Sequence, residues 1–166
     1  EEILGNATNL ILQEFYSDNL DATLASLVEG FTINGYTPLY IGERINSVQN
    51  EYSDNYSVIK DCNMIIGEMK DTKSELAKQL LGTAWAIRSI CYYNLLIRFC
   101  EPYNPISAED KLGLPLIDRF DMEAKPSRSD LKTTVSFIEE GFKNAIRYDI
   151  SDTDYIFTSD VAKAYL

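Results

Sequence analysis

Apolar residues recur along this chain at intervals of three and four, the spacing that gathers them on one face of an α-helix. No long stretch alternates with period two in the manner of a half-buried strand. Over residues 2–17 the stripe is Ile3, Leu4, Ala7, Leu10, Ile11 and Phe15, and Asp18-Asn19 interrupts it. Leu20, Leu24, Leu27, Val28 and Phe31 form a second short pattern before the turn chemistry of Asn34-Gly35-Tyr36-Thr37-Pro38. The clearest amphipathic pattern spans residues 52–70. Tyr52, Tyr56, Ile59, Cys62, Ile66 and Met69 share its stripe, with Lys60, Asp61, Glu68 and Lys70 mostly off it. The expected fold class is all-α.

Thr72 or Ser74 is the expected N-cap of a very long helix over residues 74–100, with Glu75 placed to complete a capping box with Thr72. Leu76, Leu80, Ala84, Ile87, Cys91, Leu95 and Phe99 keep helical register until Pro102 and Pro105 forbid continuation. A short polar connection between two long helices predicts an antiparallel pair, burying Ile59, Cys62, Ile66, Leu80, Trp85, Ile87 and Cys91. Four of the five prolines fall in residues 101–127, which reads as a long ordered connection with an extended piece at Leu114–Ile117. Ser127 or Ser129 is then expected to cap a helix carrying Leu131, Val135, Ile138, Phe142 and Ala145. Gly141 inside that helix costs about 1 kcal/mol against alanine. Thr158-Ser159-Asp160 opens a last helix that stops at Leu166. Helix pairs stack as the units of solenoids, so further pairs are expected beyond residue 166, and the chain reads as a single N-terminal helical domain of a longer protein.

With 166 residues, 45% apolar and 25% charged, the chain is of ordinary globular composition and about one domain long. The absence of histidine removes imidazole acid–base chemistry, Ser-His and Cys-His nucleophile systems and His-ligated zinc. A net charge of -11 opposes binding to a phosphate backbone, so nucleic acid is not an expected partner. No apolar run approaches the roughly 20 residues of a membrane span. Three cysteines, Cys62, Cys91 and Cys100, form no CxxC and sit at helix-packing positions, which predicts three free thiols. Glu139-Glu140 and the Asp152/Asp154 pair lack the context of a glycosidase or a calcium loop and read as solvated surface. No catalytic residue, cofactor or metal site is expected.

Four motifs are more specific. Tyr56-Ser-Val-Ile-Lys-Asp-Cys-Asn-Met-Ile-Ile66 resembles a helix motif of the RagB/SusD family, the surface nutrient-binding lipoproteins of Bacteroidetes. Gly82-Thr-Ala-Trp-Ala-Ile-Arg-Ser-Ile-Cys-Tyr-Tyr-Asn-Leu-Leu95 resembles the family's next helix, Leu112-Gly-Leu-Pro-Leu116 its connector, and Arg128-Ser-Asp-Leu131 with Val135, Ile138, Phe142 and Ala145 the helix after that. Order and spacing agree over residues 56–145. Thr133 and Gly141 stand where the family pattern has Glu and Asp.

The resemblance implies tetratricopeptide-like helix pairs in an α-α superhelix. It also implies a nonenzymatic lipoprotein of the cell outer membrane, exposed on the surface, that captures oligosaccharides, or peptides in some members, over a TonB-dependent transporter barrel. Its lipid anchor would lie upstream of Glu1. The alternative is a helical-repeat module for protein contact without a ligand site of its own. Sugars stack on exposed aromatic faces, and loops on a rigid scaffold carry function. The expected ligand residues are therefore Tyr36 and Tyr40, with Asn34 as hydroxyl partner, and Tyr103 in the proline-rich connection. Asn63, Trp85 and Arg88 lie within helices and are expected to be structural.

Overall fold

Helical spacing becomes four helices among the described residues, which are 49–121, 123, 125–148 and 157–166 of the computed structural model. In chain order the elements are α1 (Gln49–Met69), α2 (Glu75–Phe99), β1 (Leu112–Pro115), β2 (Arg128–Asp130), α3 (Leu131–Arg147) and α4 (Ser159–Tyr165). Nearly all belong to one compact unit, Ser53–Leu166. The helices expected over residues 2–17 and 20–31, and the Asp152/Asp154 pair, lie outside the described residues.

The first two helices form the expected antiparallel pair. Tyr56 meets Tyr92 edge-on, Asn63 bonds Arg88, and Cys62 and Ile66 pack on Leu81 and Ala84, so partners descend along α2 as α1 ascends. The turn between them departs from a capping box. Ser74 is the N-cap of α2 but makes no side-chain cap bond, Thr72 Oγ1 instead accepts from the Ser74 amide, and Glu75 pairs with Lys78.

One stripe does not describe α2. Leu76 and Leu80 are exposed and Trp85 and Ile87 half-buried, whereas Leu81, Ala86, Ile90 and Tyr92 are buried. The expectation that Leu80 is a core residue is thus corrected. A helix with a single neighbour hides one face. From Leu81 onward α2 has α1 on one side, α3 on another and β1 on a third, so most of its circumference is covered, while Leu76 and Leu80 stand near its open N-terminal end.

Asp130, not Ser127 or Ser129, caps α3. Its carboxylate accepts both the Thr133 amide and the Thr133 hydroxyl at 2.6 Å. The amides of Leu131 and Lys132 donate back to the carbonyls of Lys111 and Ala108, so the connection satisfies the helix's first two orphan donors. Leu131, Ile138, Phe142 and Ala145 are buried as their spacing predicts, and Val135 is half-buried. Gly141 faces Ser89 of α2 so closely that a Cβ would collide with the Ser89 hydroxyl.

The extended piece proves to be a strand, shifted to Leu112–Pro115, and it has a partner that periodicity does not reveal. β1 pairs antiparallel with β2, Leu112 opposite Asp130 and Pro115 opposite Arg128, with an irregularity between them. Gly113 allows this strand to reach α3: a Cβ there would strike Thr134 Oγ1 and come within 2.6 Å of the Asp130 carbonyl oxygen. Buried Thr134 then accepts from the Leu114 amide at 3.0 Å and donates to the Asp130 carbonyl at 2.9 Å. At the far end Tyr165 of α4 stacks on Phe142 and meets Tyr93 edge-on.

Gly141→Ala is expected to destabilise the chain by about 1–3 kcal/mol in urea denaturation, through overpacking that outweighs the gain in helix propensity. Adding Ser89→Ala removes the colliding hydroxyl and is expected to restore most of the loss. A fully tolerated Gly141→Ala alone contradicts the close approach.

Candidate functional site

Three of the motifs meet at one buried polar junction. Arg88 is 3% exposed inside α2, and its guanidinium donates to the Asn63 side-chain oxygen at 2.7 Å and to the Asp118 carbonyl at 3.3 Å. The Asn63 amide nitrogen in turn donates to the Ile117 carbonyl at 2.9 Å. Tyr92 closes the arrangement, its hydroxyl accepting from the Ile117 amide at 2.8 Å and donating to the Ile117 carbonyl at 3.3 Å. Tyr56 donates to the Pro115 carbonyl at 2.8 Å. Side chains of two helices thereby satisfy a stretch of backbone that has left the sheet.

Desolvation pulls the Arg88 pKa below its usual value, and burial raises the Tyr92 phenol to about 12. The guanidinium lies 4.1 Å from the Trp85 ring centroid and 5.3 Å from that of Phe137. A Trp85 face covered by a cation is closed to a ligand there. Asn63, Trp85 and Arg88 thus form one connected packing unit. Tyr56 and Tyr92 belong with them as anchors. The sequence reading had them only as stripe or motif positions, although a buried phenol ordinarily requires a hydrogen-bond partner.

Arg128 performs a related task at the surface. Its Nε donates to the Gly113 carbonyl at 2.6 Å, and Nη2 reaches the Leu112 and Phe99 carbonyls at 3.3 and 3.5 Å. It therefore ties the C-terminal end of α2 to β1. The Cys100 thiol, 4.0 Å from Nη2, is half-buried, while Cys62 and Cys91 are buried; all three are free. Burial pushes Cys62 up to about 11 and Cys91 to about 12.

The candidate ligand residues divide. Asn34, Tyr36 and Tyr40 lie outside the described residues. Tyr103 is 46% exposed on the connection between α2 and β1. Near it, a depression of about 500 Å³ is lined by Glu109, Asp130, Lys132, Thr133 and Ser136. Lys132 pairs with Glu109 at 2.5 Å, and this pairing raises its pKa. The Tyr103 phenol lies close enough to add to that effect. Bonds from the Thr133 hydroxyl and amide hold the Asp130 carboxyl below the ordinary range. Lys132 and Ser136 alternate with core positions of α3 and carry no motif, so periodicity does not single them out, and Thr133 stands out only as a departure from the family pattern. Among the described residues, no cluster of His, Cys, Asp or Glu is arranged to hold a metal ion.

Asn63→Leu leaves a buried guanidinium without its amide partner and strips the Ile117 carbonyl of a donor, for an expected loss of about 2–4 kcal/mol in thermal or urea unfolding. Wild-type stability in that variant refutes the role assigned to the junction. The thiols give a separate expectation. At pH 8 the folded chain presents almost no thiolate at Cys62 or Cys91, so iodoacetamide is expected to label Cys100 first and the other two only after denaturation. Equal labelling rates on mass spectrometry contradict their burial.

The fold is shared with solved proteins. The crystal structure of a protein from Bacteroides vulgatus, provisionally named a sugar binding protein, superposes with a TM-score of 0.63 at 24% sequence identity over 69% of this chain. The chain spans 27% of that protein's length. No curated protein matches the sequence. The family model described as SusD-like, starch-binding and associating with the outer membrane, matches residues 5–166. With residues 5–166 matched, the chain belongs to the SusD-like family.

Proposed function

We propose that this chain is the helical scaffold of a nonenzymatic glycan-binding protein that serves at the cell outer membrane as the capture subunit of an import complex. The observation that carries the reading is the SusD-like, starch-binding family match over residues 5–166. The geometry supports a binding role in a specific way. Two buried polar groups whose pKa values burial displaces, Arg88 and Tyr92, are spent on backbone carbonyls and an amide, not aimed at a reacting centre. Strongly shifted groups in a cleft mark catalytic sites. Here they hold a connector rigid, and rigidity is what a loop-borne binding surface requires.

In this reading a TonB-dependent transporter barrel receives the captured ligand. Membrane attachment through a lipid anchor is what the family resemblance implies; none of the described helices is long and apolar enough to cross a bilayer. No cofactor takes part.

The test is a glycan array with the full-length protein, followed by calorimetry and product analysis on the glycans retained. Saturable binding of oligosaccharides, recovered uncut after prolonged incubation, is the expected result. Binding to no glycan, or release of shorter products, overturns the reading.

A further inference from the structure

We draw no further inference here: the strongest candidate, the exposed apolar surface patch of Tyr103, Ile106 and Leu112 where the ordered connection after α2 enters β1, carries nothing because nothing in the structure shows what covers it.

Discussion

A positive charge buried between two helices governs the unit Ser53–Leu166. Removing a guanidinium from water is costly, and the cost is tolerable only where fixed acceptors replace the lost hydration. For Arg88 the acceptors include an amide oxygen from α1 and a peptide carbonyl from the segment after β1, with the rings of Trp85 and Phe137 over its faces. Each partner comes from a different element. The charge therefore fixes α1, α2, α3 and the connector relative to one another, as a purely apolar contact would not, because hydrogen bonds are directional and apolar contact is not.

The rest of the unit follows from bringing a non-helical strand up against helices. Backbone leaving a sheet must find partners for its N–H and C=O groups, and Tyr56, Asn63, Tyr92, Thr134 and Arg128 supply them. Two glycines make room, Gly113 where β1 meets Thr134 and Gly141 where α3 meets Ser89. The surface segment 103–110 inherits this rigidity through the first turn of α3.

Much of this was legible in the chain. The three-and-four spacing located α1, α2 and α3 to within a few residues, and the prolines located the connection. Less legible was whatever depends on contact between distant segments. Leu80 fits a helical stripe as well as Leu81 does, and only the positions of α1 and α3 decide which is covered. The strand Arg128–Asp130 is too short for a period to show. Asp130 caps α3 because β2 runs up to it and the helix begins only at Leu131, beyond both Ser127 and Ser129. At Gly141 a helix-propensity argument registers only the cost, while the reason for it sits on another helix. For the candidate site, Lys132 and Ser136 line a common depression with Glu109 only once the connection folds back over α3.

The central claim is that side chains of α1 and α2 hold the connector's peptide groups as firmly as a sheet would. Amide hydrogen exchange at Ile117 measures this directly, because its N–H donates to the Tyr92 hydroxyl and to no strand. The account predicts that the Ile117 amide exchanges as slowly as the core amides of α2, and that Tyr92→Phe, which deletes the acceptor, accelerates it by orders of magnitude while α2 stays protected. Exchange at Ile117 as fast as at an exposed loop amide in the unmodified protein would contradict it.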